Sequence, residues 1–376
     1  MLRKNGNDLS VSFIMEMNQA GTAVIQFQNI VQFFENSKAS NKLVFIDPIV
    51  LAKKPMLLQM EAQQHNTLLV PTNIQESSKS LDSVVSIIQV FEDRGIGRRN
   101  ELICAVGGGA LLDTVSFAAS IYRRGISVTK IPTTLLGIVD AAVGIKTGVN
   151  FEGQRNRLGS YHFDFDVVID PTLLNGIGKG MVRQGLGEIF KIATIKGRQL
   201  FFDLKSNMNN LEDVEFYQSG LGIKIISDAI ELMLEELHDN PRESNLKRCV
   251  DFGHSFCPLV EMESLKRSGS RAIPHGFAVA YDCILTTALS FNRHRIGDEA
   301  FKEIIQLFQS FDFDFSNDLY KDTNLLWASF LELTKHRGLK QNLPIPVEIG
   351  VHDFLQDVNF DEVEAANKLI QREFNL

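Results

Sequence analysis

The chain has 376 residues, of which 44% are hydrophobic and 22% are charged, and its formal net charge is −8. This composition is typical of an ordinary globular protein that is long enough for two domains with sizeable cores, and it carries no sign of disorder. The negative charge argues against nucleic-acid binding, because a phosphate backbone would repel the protein unless a local basic patch intervened, and the sequence contains no such patch of convincing size.

The first residues are not followed by an apolar stretch of signal-peptide length, and no run in the chain approaches the roughly 20 apolar residues that a membrane helix needs. We therefore expect a cytoplasmic protein with no membrane contact. The cysteines lack CxxC spacing and are interpreted as buried thiols rather than disulfides. They are Cys104, Cys249, Cys257 and Cys283.

The first half of the chain alternates short β-branched runs with helical spacing, which is the pattern of parallel α/β units. An amphipathic helix is predicted at residues 80–94. Strands are predicted at residues 43–46, 66–70, 102–106, 127–132 and 167–169.

After Pro171 the pattern changes, and long helical periodicities dominate. These helices are predicted at residues 181–202, 214–237, 277–292 and 299–311. A boundary near residue 175, followed by a glycine-rich hinge at 176–180, divides the chain into two domains. Residues 1–175 form an α/β domain with a parallel, Rossmann-like sheet, and residues 176–376 form a mainly α-helical domain.

Three consecutive glycines, at residues 107–109, follow the strand predicted at 102–106 and precede a helical stretch. Glycines let the backbone approach a pyrophosphate, and the free N–H groups of a helix start attract the anion. The segment is not the GxGxxG fingerprint, and a tight strand-to-helix connection explains it equally well.

The segment at 140–150, predicted as a loop, adds Asp140, Lys146 and several hydroxyls that suit a phosphorylated cofactor. A solvated loop would account for any one of these residues, but poorly for all of them together. We therefore predict that the first domain binds a nucleotide cofactor.

Glu188, His254 and His275 each lie in a recognisable sequence frame in the second domain. A carboxylate and two imidazoles can hold a divalent metal and leave one coordination position open, which is typical of a catalytic site. An isolated histidine is more often a helix cap or part of a core, but here both histidines are expected at the ends of elements. Lys191 lies on the same helix face as Glu188 and could reach a substrate oxygen, or could simply be solvated.

A series of motifs spans about residue 70 to 350, and with these motifs the sequence resembles the sugar phosphate cyclases, the family built around 3-dehydroquinate synthase. The motifs are Gly-Gly-Gly-x-x-x-Asp at 107–113, Pro-Thr-Thr-Leu at 132–135, Val-Asp-x-x-Val-Gly-x-Lys-Thr-x-Val-Asn at 139–150, Glu-x-x-Lys at 188–191, Phe-Gly-His-Ser-Phe at 252–256 and His-Gly-x-Ala-Val-Ala at 275–280.

Several details resemble the branch of the family that produces 2-epi-5-epi-valiolone. Pro258 stands where dehydroquinate synthases keep a second histidine, and Met233 stands where they usually have an active-site lysine. Residues 155–159 resemble a Lys-Asn-Arg-Leu-Gly segment of that branch, and residues 336–346 replace an Asp-Lys-Lys segment. A pocket with fewer cationic groups suits sedoheptulose 7-phosphate, which lacks the carboxylate of the dehydroquinate precursor.

The resemblance implies NAD as cofactor, Zn²⁺ or Co²⁺ as metal, and a homodimer as the assembly. It implies metal binding by Glu188, His254 and His275. The residues implied for NAD contacts are Asp47, Glu76, Lys79, Gly108, Gly109, Asp113, Thr133, Thr134, Asp140 and Lys146. Those implied for catalysis and substrate contact are Asp140, Lys146, Asn156, Lys191, Arg155, His336 and Arg124, the last directed to a phosphate pocket of the neighbouring subunit.

The chain also departs from the family pattern. Phe277 replaces a glutamate, Arg155 replaces a lysine, and residues 176–180 replace a more rigid Leu-Pro segment. These departures bear on cofactor affinity and on the stereochemistry of the product.

The implied activity is that of a carbon–oxygen lyase that cyclises sedoheptulose 7-phosphate to 2-epi-5-epi-valiolone. The reaction would combine transient oxidation by NAD, β-elimination of phosphate, re-reduction and intramolecular aldol closure. Alternatives are a 2-epi-valiolone or desmethyl-4-deoxygadusol synthase, 3-dehydroquinate synthase, a metal-dependent polyol dehydrogenase of the glycerol dehydrogenase type, and an inactive homologue that only binds ligands.

Overall fold

The chain forms two compact units in the computed structural model, which describes residues 2–5, 12–17, 21–55, 57–59, 66–99 and 101–376. The first unit comprises Met1–Met181 and Asp213–Arg242, and the second comprises Val182–Glu212 and Glu243–Leu376. Residues 213–242, which the sequence assigned to the second domain, thus lie in the first unit. The division into domains 1–175 and 176–376 stays a prediction.

A sheet with eight strands among the described residues forms the framework of the first unit, in the order β1-β2-β3-β10-β7-β6-β4-β5. Its strands are β1 Leu2–Asn5, β2 Ser12–Met17, β3 Gly21–Phe27, β4 Asn41–Ile46, β5 Thr67–Pro71, β6 Glu101–Gly107, β7 Val128–Pro132 and β10 Phe165–Ile169. Neighbouring strands from β3 to β5 run parallel, whereas β1, β2 and β3 form an antiparallel meander. The parallel part confirms the strands predicted from the sequence, and the meander was not predicted.

The central strands have nearly continuous apolar sequences, which is typical of parallel strands in a sheet that is covered on both faces. Strands β4, β6 and β7 are buried along almost their whole length. Val44, Val106 and Ile131 pack in one core with Ile30 and Phe34 of a neighbouring helix. The carboxyl ends of these strands therefore lie at one edge of the sheet, where connecting loops present side chains to ligands.

Among the described residues of the first unit, the α-helices are Ile30–Asn36, Pro48–Lys53, Leu81–Asp93, Gly109–Ile121 and Gly220–Asp239. Shorter turns of helix lie at Glu76–Ser78, Tyr122–Arg124, Gly137–Ala141, Pro171–Leu174 and Val214–Gln218. The helix predicted at 80–94 is confirmed, with the Ser80 side chain accepting a hydrogen bond from Ser83 N at its start.

The predicted start of the helix at 214–237 was wrong. Its first turn is a separate 3₁₀ helix, Val214–Gln218, and the α-helix starts only at Gly220. Ser219 interrupts the two, because its Oγ accepts a hydrogen bond from Gly222 N, 3.1 Å away, and so caps the second helix.

The segment at 140–150 is not the loop that the sequence predicted. Gly137–Ala141 forms one π-helical turn, and Lys146–Phe151 is a strand, β8, paired antiparallel with β9, Gln154–Tyr161. The small and polar residues of this segment led to the prediction of a loop. They are tolerated in the hairpin because it forms a separate two-stranded sheet with an exposed face.

The second unit is mainly helical, and its α-helices are Lys179–Ile195, whose first turn falls in the first unit, then Arg198–Ser206, Pro258–Ser268, His275–Asn292, Asp298–Gln309, Thr323–His336 and Phe360–Glu373. Short 3₁₀ helices lie at Cys249–Asp251, Gly269–Arg271 and Asp318–Tyr320, and β11 Leu343–Glu348 pairs with β12 Val351–Leu355. The predicted α/β plus helical fold class is confirmed.

One predicted helix of this unit is divided in the structure. The sequence indicated a single helix at 181–202, but the chain forms Lys179–Ile195 and Arg198–Ser206 on either side of Gly197. Gly197 is the N-cap of the second helix, and glycine within a helix is unfavourable. The helices predicted at 277–292 and 299–311 are confirmed with small shifts of their ends.

The four cysteines are buried thiols, as predicted. Within the described residues, none of the helices has the length and apolar character that a membrane crossing requires.

Candidate active site

Three side chains predicted as metal ligands meet in the second unit. Oε1 of Glu188 lies 3.4 Å from Nε2 of His275 and 3.5 Å from Nε2 of His254. One potential ligand atom from each residue lies within 4.8 Å of the others. A group of donors this compact can surround a single ion.

The convergence depends on a close contact between two helices. Glu188 lies within Lys179–Ile195, here called the Glu188 helix, and His275 is the first residue of His275–Asn292, the His275 helix. A Cβ atom on Gly187 would lie 2.2 Å from the carbonyl oxygen of Gly276, so only glycine permits this approach. The residues next to these two glycines are Glu188 and His275, and the contact places them side by side.

His254 reaches the same point from a tight loop between the turn Cys249–Asp251 and the helix Pro258–Ser268. The preceding residue, Gly253, has a φ of +81°, which residues with a side chain rarely adopt. Its Cα is also packed against the His275 helix, since a Cβ there would lie 2.8 Å from Sγ of Cys283.

Both imidazole rings are oriented through their other nitrogen. Nδ1 of His275 lies 3.0 Å from Oε2 of Glu261, and Nδ1 of His254 lies 3.4 Å from the carbonyl oxygen of Phe252. These oxygens can only accept a hydrogen bond, so the ring proton belongs on Nδ1 in each case. Each Nε2 then presents a lone pair toward Glu188, which is the tautomer that a metal ligand needs.

The Glu188 carboxylate is buried, since only 2% of the residue's surface is exposed to water. Nζ of Lys191 lies 2.5 Å from Oε2, yet neither carboxylate oxygen accepts a well-oriented hydrogen bond from the described part of the chain. Burial works to raise the pKa of Glu188, but the positive charge of Lys191 holds it well below its ordinary value. Burial and the positive charge of Lys191 hold the pKa of His254 well below its ordinary value.

The donor set fits a divalent metal such as Zn²⁺. It consists of an ionised carboxylate with unsatisfied oxygens and two neutral imidazoles whose lone pairs converge. Three protein ligands would leave coordination positions of such an ion free for substrate oxygens. This geometry supports catalysis more than a closed structural site.

Residues that support this site were not found from the sequence. Glu261, which orients His275, is 14 positions away from it in sequence, and nothing in their spacing indicates the contact. Asp251, just before the His254 loop, accepts from the guanidinium groups of Arg248 and Arg337. Glu261 and Arg337 could not be predicted as partners because tertiary packing alone brings them to His275 and Asp251, whereas Arg248 is only three residues from Asp251.

In the first unit, predicted cofactor residues follow the carboxyl ends of adjacent strands. Asp47 follows β4 and caps the next helix by accepting a 2.8 Å hydrogen bond from Ile49 N. Gly108 is the N-cap of the helix Gly109–Ile121 and has no side chain to occupy the first N–H groups. Thr133 follows β7, and its N–H donates to Gly107 O. An open helix start beside these residues is suited to a phosphate.

Thr134 borders the same helix start. A Cβ on Gly108 would lie 3.6 Å from Cγ2 of Thr134, and the Thr134 hydroxyl accepts a hydrogen bond from Gly137 N, 3.0 Å away. The threonine thus connects the glycine turn to the π-helical turn that carries Asp140.

Lys79 forms the centre of a polar cluster that joins other predicted residues. Its buried Nζ lies 2.6 Å from Oδ2 of Asp113 and 2.6 Å from Oδ1 of Asn156. Glu76 accepts a hydrogen bond from Asn150, 2.9 Å long, and lies 3.5 Å from Nε of Arg155. The hairpin β8–β9 therefore brings the substrate-directed Asn156 to the cofactor-directed Lys79 and Asp113. Asn150 was not among the predicted site residues.

Asp140 and Lys146 lie on either side of a turn that is held by a hydrogen bond from the buried Lys130. Lys130, 1% exposed, donates to Gly144 O over 2.7 Å and lies 4.1 Å from the centre of the Phe165 ring. Burial lowers the pKa of Lys130 to about 8, against the charges of Asp113 and Asp140. Asp140 is half-buried and Lys146 is exposed.

Two further predicted residues lie at the ends of helical elements. Arg124 is exposed at the end of the turn Tyr122–Arg124, with a φ of +67°. His336 ends the helix Thr323–His336, and its side chain lies outside the described residues.

Comparisons with known proteins show the family to which the chain is similar. Residues 69–184 match the family model of the 3-dehydroquinate synthase N-terminal region, and residues 185–336 match that of the C-terminal region. The chain is 37% identical to a 2-epi-5-epi-valiolone synthase of Streptomyces albus over 79% of this chain and 72% of the relative. It is 30% identical to a demethyl-4-deoxygadusol synthase of Trichormus variabilis over 79% of this chain and 73% of the relative.

Among solved structures, the chain is similar to ValA, the 2-epi-5-epi-valiolone synthase of Streptomyces hygroscopicus subsp. jinggangensis 5008, with NAD⁺ and Zn²⁺ bound. The TM-score is 0.86 at 33% sequence identity, and the match covers 93% of this chain and 96% of ValA.

The contact between the two helices can be tested with Gly187→Ala. The added methyl group would collide with the backbone of Gly276, so we expect a loss of about 1–3 kcal/mol in unfolding free energy and a large loss of bound metal. Gly180→Ala on the same helix is the control, because a Cβ there would have no described atom within 4 Å. Elemental analysis and thermal unfolding measure both effects, and full zinc stoichiometry in Gly187→Ala would contradict the packing argument.

The orienting role of Glu261 can be tested with Glu261→Gln, which removes the charge that faces Nδ1 of His275. Loss of such a partner typically weakens metal binding about 10- to 100-fold, and we expect a change in that range when zinc is titrated against a chelator. Glu263→Gln on the same helix removes an exposed partner of Arg267 instead, and its zinc affinity should match that of the wild type. Equal affinities for both variants would remove Glu261 from the site.

Proposed function

Because this chain belongs to the 3-dehydroquinate synthase family, we propose that it is a sugar phosphate cyclase that converts sedoheptulose 7-phosphate to 2-epi-5-epi-valiolone with release of phosphate. It is an NAD- and metal-dependent carbon–oxygen lyase. The convergence of Glu188, His254 and His275 is the observation that carries the proposal, because a phosphate-eliminating cyclase needs a metal site that is open to substrate hydroxyls.

The choice of substrate is supported by two positions where dehydroquinate synthases carry cationic or ionisable side chains. Pro258 begins the helix Pro258–Ser268, and Met233 is a buried apolar residue in the helix Gly220–Asp239. Neither can bind the carboxylate of the dehydroquinate precursor. Sedoheptulose 7-phosphate has a phosphate but no carboxylate, so it places no such demand on the protein.

In the second unit, we assign Glu188, His254 and His275 as ligands of Zn²⁺ or Co²⁺. A bound metal would polarise the substrate hydroxyls that it binds and lower their pKa. Glu261 holds the tautomer of His275, and Lys191 balances the charge of Glu188. With its ammonium group 2.5 Å from Glu188, Lys191 is also assigned to bind a substrate oxygen.

In the first unit, we assign the open start of the helix Gly109–Ile121 to the pyrophosphate of NAD, with Gly108 and Gly109 giving the backbone close access. Bound NAD would supply a transient oxidation that acidifies the proton beside the new ketone, and it would be restored within each turnover. The remaining residues assigned to NAD are Asp47, Glu76, Lys79, Asp113, Thr133, Thr134, Asp140 and Lys146.

Asp140, Lys146, Asn156 and Arg155 are assigned to the substrate. The set has two cations, Lys146 and Arg155, and we assign Lys146 to neutralise phosphate charge. Its exposed side chain at the start of strand β8 supports this assignment. Lys130 supports the turn between Asp140 and Lys146 by donating a hydrogen bond to Gly144 O.

We further propose a cytoplasmic homodimer in which Arg124 and His336 complete the substrate pocket, Arg124 in that of the neighbouring subunit. The exposed position of Arg124 on a turn is compatible with such a contact. Size-exclusion chromatography with light scattering would determine the assembly state, and a monomer at working concentration would remove this part of the proposal.

The activity can be tested by incubating the purified protein with sedoheptulose 7-phosphate, NAD⁺ and Zn²⁺. We expect phosphate release without net accumulation of NADH, because the hydride removed early in the reaction is returned later. The expected product by NMR is 2-epi-5-epi-valiolone. Accumulating NADH would instead indicate a polyol dehydrogenase, and 2-epi-valiolone or demethyl-4-deoxygadusol would identify a different branch of the family. Absence of phosphate release would refute the cyclase proposal.

The role of Lys146 can be tested separately from that of the metal with Lys146→Ala. Removing a positive charge that acts on the reacting groups typically lowers kcat by about 100-fold or more, and zinc stoichiometry should stay at the wild-type value. Lys302→Ala, which removes an exposed lysine on the helix Asp298–Gln309, serves as the charge-matched control. Wild-type kcat/KM in Lys146→Ala would remove Lys146 from the site.

A further inference from the structure

Asp282 is an acidic residue on the His275 helix, among buried and mainly apolar neighbours. Its side chain has no exposure to water, and the residues before and after it are buried. It follows His275 by seven positions, which is two helical turns, so the two side chains lie on the same face of the helix.

This carboxylate binds the backbone of the loop that carries His254. Its Oδ2 accepts hydrogen bonds from the N–H groups of Ser255, Phe256 and Cys257, at 2.9, 2.5 and 2.9 Å. These three residues directly follow His254. Three N–H donors on one oxygen of a buried acid form a directional anchor, and these hydrogen bonds are stronger when the acid is ionised. Burial raises the pKa of Asp282 to about 7, while the three N–H groups act to lower it.

The same carboxylate caps a second helix from outside it. Cys257 is the N-cap of Pro258–Ser268, and the N–H groups at and before this start point to Asp282. The helix dipole adds to the attraction for a negative charge at this point. Asp282 therefore satisfies backbone groups that would otherwise be buried without an acceptor.

We propose that Asp282 is a positioning residue of the metal site, which fixes the loop of His254 to the helix of His275. The His275 helix thus determines the positions of both imidazole rings. It carries His275 itself, and it holds the loop of His254 through Asp282. The packing of Gly253 against the same helix, where a Cβ would lie 3.0 Å from Cγ1 of Val279, supports this arrangement. The inference rests on the metal site of the proposed function.

The test compares Asp282→Asn with the wild-type holoenzyme. The amide has nearly the same shape, and its oxygen can take the place of Oδ2, but it carries no charge, so its hydrogen bonds to the loop should be weaker. We expect zinc affinity to fall about 10- to 100-fold, as for other groups that orient metal ligands, with faster zinc release to a chromophoric chelator. The absorption spectrum of the Co²⁺-loaded variant should also shift, whereas the Kd for NAD⁺ should stay within about twofold.

Thr287→Val is the matched control on the same helix. Thr287 is also fully buried, and its hydroxyl donates to Cys283 O at 2.7 Å rather than to the His254 loop. This variant should keep the zinc affinity and the Co²⁺ spectrum of the wild type, even if its thermal stability falls.

Thermal unfolding of the metal-free proteins separates positioning from general stability. If Asp282→Asn unfolds at a lower temperature but binds zinc with wild-type affinity and release rate, Asp282 is only structural and the proposal is overturned. Should Asp282→Asn yield no folded protein, Asp282→Glu keeps the charge one methylene further out, and we expect a smaller but measurable loss of zinc affinity. Wild-type zinc affinity in that variant would likewise overturn the proposal.

The metal site itself is tested by His275→Ala. Full zinc stoichiometry in that variant would refute the ligand assignment of the proposed function. If His275→Ala loses zinc while Asp282→Asn retains wild-type affinity, only the positioning role fails.

Discussion

A carboxylate that has lost contact with water needs positive charge around it, and the second unit is organised by this requirement at Glu188. Lys191, one helical turn further along, supplies one such charge at 2.5 Å. The two imidazoles turn their Nε2 atoms toward the other oxygen, at 3.4 and 3.5 Å. Their lone pairs leave that oxygen without a hydrogen-bond donor among the described residues, and a divalent cation is the species that satisfies all three groups at once.

Such a site requires that its ligands be held by rigid elements, because small displacements weaken a metal site. Glu188 and His275 lie on two helices whose backbones touch at Gly187 and Gly276. His254 lies on a loop, which would by itself be the least defined of the three ligands. Asp282 compensates for this by binding the loop to the His275 helix through three backbone hydrogen bonds. The Glu188 and His275 helices thus determine the geometry of the whole ligand set.

In the first unit, the candidate site residues are positioned by the sheet, because they follow the carboxyl ends of parallel strands. Asp47, Gly108 and Thr133 come after β4, β6 and β7, which are neighbours in the sheet. The hairpin β8–β9 then connects to these loops through Lys79, whose ammonium group joins Asp113 to Asn156. Residues that we propose to contact the cofactor and the substrate are therefore joined by hydrogen bonds.

The sequence by itself determined the parallel strands, most of the helices and the identities of Glu188, His254 and His275, because these depend on local periodicity and on motifs with fixed residue types. It was wrong where a local pattern had two solutions, as at 140–150, where small and polar residues formed a hairpin rather than a loop. It gave no indication of Glu261 or Asp282, which act on partners 14 to 27 positions away. Only the tertiary structure could decide these contacts, since they arise from helices that pack side by side, and packing distance is not encoded in the spacing of residues along the chain.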